Sequence, residues 1–241
     1  MQSHLYHGGS FVPAARLFRR RNLALFIVLT GVCIGLLGLM SDFGTAAIFF
    51  VTFLVIAYLR SGDAATLALI CGGAAFGAGI IVQFKPYILS RFAAWGHAWE
   101  AASGSGYQQT RTMSAVASGG LFGAGPEEAW LKYVGAANTD LVFGVVSEEF
   151  GLLLALCAAA AVILLGIYAL RAALYAATRA ARASSAYYAI AACATAAMLV
   201  FQTTLNVLGS VDLLPLTGVT FPFVSMGGSS MLSCWGLLAY L

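Results

Sequence analysis

The chain holds 241 residues, 61% of them hydrophobic and only 9% charged, with a net charge of +3 and a mean hydropathy of +0.90. Soluble domains carry roughly 25% charged residues, so a water-soluble globule is excluded, and so are a disordered tail, a collagen and a coiled coil. The small positive charge gives no footprint for nucleic acid, and the class is an all-α, polytopic transmembrane helix bundle.

In chain order, Arg16, Arg19, Arg20 and Arg21 precede the first apolar run without a small-residue cleavage site, so this run reads as a retained helix and not a signal peptide. A spanning helix needs about 20 largely apolar residues. Such runs occupy 23–40, 43–59, 64–82, 141–170, 186–208 and 221–241. The chain therefore divides into three helices within 22–83, a long connection over 84–140 and three helices within 141–241, as one membrane domain. Ser41-Asp42 is the only break between the first two runs, which forces an antiparallel pair.

Orientation follows from the basic residues of the loops. One side holds Arg16, Arg19, Arg20, Arg21, Arg60, Arg171, Arg179 and Arg182, and the other holds Lys85, Arg91, Arg111 and Lys132. The richer side is expected to be cytoplasmic, with both termini there and the 84–140 connection outside. Tyr87, Phe92, Trp95, Trp99, Tyr107, Trp130 and Tyr133 suit that connection to the headgroup level. Cys33, Cys71, Cys157, Cys193 and Cys234 lie in apolar stretches without a C-x-x-C pair, and His4, His7 and His97 are scattered, so no metal-ligand set is expected.

Asp140 ends the long connection and opens an apolar run, where position alone favours a residue placed by capping and the helix dipole over a general base at a helix mouth. Glu148 and Glu149 lie inside that run, where an ionisable group is costly and functional by default. At 1.5 Å and 100° per residue, Glu148 falls about 12 Å deeper than Asp140 and about 80° around, with Glu149 on the opposite face. Neither can pair with Asp140, and a hydrogen-bonded interhelix role is the plainer reading. Lys85, Arg91, Arg111 and Lys132 suit a pyrophosphate or phospholipid headgroup, or else snorkel and pair with Glu100, Glu127 and Glu128. The stretch 213–230, with Pro215, Pro222 and several glycines and hydroxyls, reads as irregular backbone beside a cavity or as a small-residue packing surface.

Five motifs in order across the chain resemble the SEDS family (FtsW/RodA/SpoVE). Residues 41–46 (SDFGTA) are similar to its PDFGTA element, and Pro86-Tyr87 with Arg91 to its PY…R segment. Gly106-Tyr107-Gln108 followed by 117–123 resembles GYQ…SGGLFG. Residues 138–143 with 148–151 resemble HTDFIF…EELG, and 213–230 resembles GLLPVTG…PFVSYGGSS. Asn138, Asp212 and Met226 stand where the family pattern has His, Gly and Tyr.

The resemblance implies a peptidoglycan glycosyltransferase that polymerises lipid II at the outer face of the cytoplasmic membrane, with inversion and release of undecaprenyl pyrophosphate. It makes Asp140 the catalytic base. Lys85, Arg91, Arg111 and Lys132 would bind the leaving group, and Thr139, Ser225, Gly227, Gly228, Ser229 and Ser230 would shape the substrate cavity. Asp42, Glu148, Glu149, Pro215 and Pro222 would support it. It implies a growing glycan strand and membrane lipids as further partners, together with a class B penicillin-binding protein. The one metal it leaves room for is a divalent cation, Mg or Mn, loosely held at the pyrophosphate. Family members have about ten spans, so this chain is expected to represent the last six. A lipid II flippase and a non-catalytic scaffold of a cell-wall complex are the competing readings.

Overall fold

A computed structural model describes residues 25, 27–40, 42–61, 64–84, 89, 92–179 and 183–241, and its regular elements are all helices. Helix α1 covers Ile27–Leu39, α2 Phe43–Ser61 and α3 Ala64–Phe84. Asp42 starts α2 by accepting the Thr45 N–H at 3.0 Å, which satisfies one of the donors that a helix start leaves open. Ile27, at the beginning of α1, packs with Phe53 and Ala57 from the far half of α2 and with Ile70 of α3. The first two helices therefore run antiparallel, as their short link requires.

The long connection is folded. It contains α4, Tyr107–Gly119, and a 3-10 turn at Leu131–Tyr133. Beyond it lie α5, Val142–Phe150, α6, Leu152–Arg179, α7, Ala183–Ser210, and α8, Gly228–Tyr240. The core lies where α5, α6, α7 and α8 meet, around Phe143, Ala159, Leu199, Phe221 and Cys234. A second cluster of Ile48, Leu205 and Val219 fastens α2 to α7 and to the connection that follows it. Leu152–Ala173 of α6 and Tyr187–Ser210 of α7 are long and apolar enough to cross a membrane, whereas Ile27–Leu39, Phe43–Leu59 and Ala64–Gly79 are apolar but shorter.

Two expected helices are corrected. The run 141–170 is not one helix, because Gly151 takes φ +95 and separates α5 from α6. Ending a helix inside an apolar region strands carbonyls on one side and N–H groups on the other. The segment 120–125 supplies both sets of partners. Ala124 N donates to Glu148 O at 2.8 Å and Gly125 N to Glu149 O at 3.1 Å, while Leu152 N and Leu153 N donate to Gly120 O and Leu121 O. A Cβ on Gly151 would fall on the Leu121 carbonyl oxygen. Gly151→Ala is thus expected to cost about 2–4 kcal/mol through overlap and positive-φ strain. A thermal melt of the detergent-solubilised variant checks this, and an unchanged midpoint would show that the junction tolerates a side chain.

The second correction concerns 221–241, whose helix begins only at Gly228 and is 13 residues long. Before it the chain is turned, with Phe223 at φ +64 and the Phe221 N–H bonded to Ser225 Oγ at 2.7 Å. Pro222 in this turn is buried, and proline cannot continue a helical hydrogen-bond ladder.

Candidate functional site

Asp140 stands at the end of a tight turn that starts at Ala136, whose φ is +64. The Ala136 carbonyl accepts the N–H groups of Thr139, Asp140 and Leu141 and also Thr139 Oγ1 at 3.2 Å. The carbonyls of Asn138, Thr139 and Asp140 are then each held from elsewhere. Met226 N donates to Asn138 O at 2.9 Å, Ser225 Oγ to Thr139 O at 2.6 Å and Asn206 Nδ2 to Asp140 O at 2.8 Å. Ser225 is buried, and its hydroxyl both donates here and accepts from Phe221 N, so one side chain shapes two turns.

Residues 213–227 are therefore irregular backbone laid against the Asp140 turn. Gly218 has φ +74, and a Cβ built there would lie 3.3 Å from Asp140 Oδ2. Glycine both permits this conformation and lets the backbone come close to the carboxylate. Asn206 Nδ2 also donates to Val219 O at 2.6 Å. One turn earlier on α7, Gln202 Nε2 donates to the Thr220 carbonyl and hydroxyl, both at 3.0 Å. Thr220 Oγ1 in turn shares a 2.7 Å bond with Ser230 Oγ. Gly227 is the N-cap residue of α8, with Gly228 and Ser229 exposed beside it. Pro215 is half-buried in the same connection.

The other predicted residues separate into groups. Lys85 and Arg91 lie outside the described residues. Arg111 is exposed on α4 with its guanidinium 5.2 Å from the Tyr107 ring centre, a cation–π pair. Lys132 donates to Pro126 O at 2.6 Å and lies over Tyr133, which anchors it within its own loop. Glu148 is 1% exposed, and its two carboxyl oxygens accept Trp130 N at 3.1 Å and Leu131 N at 2.9 Å. The hydrogen-bonded reading of Glu148 is the one seen. Glu149 is half-buried and contributes its carbonyl to the α5–α6 junction.

Asp212, Asn206 and Gln202 have roles that the sequence reading did not assign. Asp212 sits at φ +61, the region glycine favours, at the position where the family pattern has Gly. Its carboxylate accepts Gly96 N at 3.2 Å, Ala98 N at 3.3 Å and Gln109 Nε2 at 3.0 Å, while Trp95 Nε1 reaches Leu213 O at 3.2 Å. This latch ties 95–98 and α4 to the end of α7. Asp212→Ala is expected to loosen residues 95–98, raising their amide hydrogen exchange by roughly tenfold. Exchange unchanged at 95–98 would mean that the latch does not hold the segment. For Gln202 and Asn206, the available signal was two carboxamides four residues apart in an otherwise apolar helix.

A helical membrane fold whose connections converge on the turn that carries Asp140 defines the class. Residues 9–241 match the FtsW/RodA/SpoVE cell cycle protein family, and the chain belongs to that family. It is 33% identical over 213 residues to a probable peptidoglycan glycosyltransferase FtsW of Coxiella burnetii, covering 86% of this chain and 55% of that protein. It is 30% identical over 232 residues to the protein of the same name from Bacillus subtilis, covering 89% and 54%. The chain thus spans about half the length of the curated relatives it matches. Two of its departures from the family pattern, Asn138 and Met226, meet through a main-chain hydrogen bond, which does not depend on their side chains.

Proposed function

We propose that this bacterial membrane protein is a peptidoglycan glycosyltransferase acting on lipid II, with Asp140 as the general base. The observation that carries the reading is the hold on three successive carbonyls, Asn138 to Asp140, which fixes the backbone of one carboxylate at the mouth of α5. Family membership supplies the reaction class. In this reading Asp140 takes the proton from the acceptor sugar 4-hydroxyl as that oxygen bonds to the donor anomeric carbon. The bond to undecaprenyl pyrophosphate breaks on the opposite face, and configuration inverts. A base within hydrogen-bond reach and cations near the leaving group are what the chemistry requires.

Lys85, Arg91 and Arg111 are the leaving-group cations of this reading, with Lys132 a lesser contributor because it is engaged by Pro126. Thr139, Ser225, Gly227, Gly228, Ser229 and Ser230 shape the substrate cavity, where the first turn of α8 adds backbone N–H groups suited to the pyrophosphate. Among the described residues no three His, Cys, Asp or Glu side chains gather to hold a metal. A divalent cation, Mg or Mn, loosely held at the pyrophosphate would supply charge stabilisation of the leaving group.

The reading places the 84–140 connection and Asp140 at the outer face, with Arg16–Arg21, Arg171, Arg179 and Arg182 on the cytoplasmic side of a multi-pass protein. It includes a class B penicillin-binding protein as transpeptidase partner and the growing glycan strand as acceptor. Gel-resolved polymerisation of labelled lipid II by the intact protein with that partner tests it. Glycan ladders support it. No polymer from an intact complex overturns it and shifts weight to a flippase or a scaffold.

A further inference from the structure

Asn206 is 2% exposed on α7, and both hydrogens of its carboxamide are committed, to Asp140 O at 2.8 Å and Val219 O at 2.6 Å. These carbonyls belong to two chain segments that meet only through tertiary structure. One carries the carboxylate, and the other adjoins Gly218, where an added Cβ would lie 3.3 Å from Asp140 Oδ2. The carboxamide oxygen is buried without a hydrogen-bond partner. A buried polar atom left unpaired is costly, so the two donor bonds justify this residue in an apolar helix where an alkyl side chain would pack without penalty. The other two bonds of the hold act on Asn138 and Thr139, and that of Asn206 acts on the carbonyl of Asp140 itself.

We propose that Asn206 is a positioning residue for Asp140, setting the distance between its carboxylate and the Gly218 turn. The inference rests on the reading of Asp140 as base. A carboxylate displaced by about 1 Å loses roughly 100-fold in rate, whereas substrate affinity, set elsewhere, is retained. The effect must therefore fall on kcat and not on KM.

The test uses the intact protein with labelled lipid II, comparing the unaltered form with Asn206→Leu and Asn206→Asp. Leucine matches the volume without donors, and aspartate presents oxygens to both carbonyls. Each is expected to lower kcat roughly 100-fold with KM for lipid II changed less than about twofold. Gly218→Ala approaches the same spacing from the other side and should give the same kcat-only loss, which keeps the test informative should the Asn206 variants fail to fold. Near-normal kcat in either folded Asn206 variant, or in Gly218→Ala when neither folds, overturns the positioning role. An active unaltered protein with an inactive Asp140→Asn form keeps the base reading standing in that event. No polymer from the unaltered protein would remove that reading and this inference with it.

Discussion

Asp140→Asn is expected to abolish glycan polymerisation while leaving the protein folded. The three bonds that hold the 138–140 turn all end on main-chain carbonyls, so they are indifferent to the side chain at 140. Asparagine matches aspartate in shape and fits the same space beside Gly218. What it lacks is the capacity to take a proton from the acceptor hydroxyl, and removing a general base costs about 10²–10⁴-fold. In a gel-resolved assay a loss of that size reads as no polymer. Asp140→Glu should fare little better, since one more methylene pushes the carboxylate towards Gly218 or away from the acceptor. Near-normal polymerisation by the asparagine form, at equal yield and melting temperature, would take the base assignment away from Asp140.

Glu148→Ala is expected to produce the largest loss of stability. The Glu148 carboxyl spans from α5 to two consecutive N–H groups at the 3-10 turn, Trp130 and Leu131, and Leu131 is fully buried. Alanine leaves both donors without partners, at about 1–3 kcal/mol each, and opens a void beside Leu131, which packs with Ala115, Ala137 and Val145. A total of about 3–5 kcal/mol follows. Glu148→Gln retains one acceptor and should lose less than half as much. Thermal unfolding in detergent, together with protease cutting within 126–135, measures both. Equal stability of all three forms would return Glu148 to the list of groups kept for chemistry.

The sequence made the apolar helices legible because hydropathy needs no knowledge of neighbours, and α2, α3 and α7 lie where their runs lie. The break at Gly151 was not legible in the same way. The apolar run continues through it, and glycines such as Gly144 and Gly166 sit inside helices without breaking them. What separates Gly151 from these is the docking of 120–125, a tertiary fact. Asp140 was legible through its motif and its place at the head of an apolar run. Asn206 was legible only in part, since a carboxamide in an apolar helix announces a partner without naming it. Asp212 was visible as a departure from the family pattern, but its bonds to Gly96, Ala98 and Gln109 reach more than 100 residues back along the chain. The placement of Lys85 and Arg91 lies outside the described residues.

The junction between α5 and α6 also bears on the order in which the chain is made. Residues 120–125 leave the ribosome before Gly151, so the partners for the broken helix are already synthesised when the break emerges. Until the two segments meet, each carries bare peptide groups that a lipid environment cannot satisfy. A reversed order of synthesis would leave the interrupted helix waiting in the bilayer for its complement. In the order present here, the waiting segment is the glycine-rich 120–125 stretch within the long connection, and the later segment closes onto it.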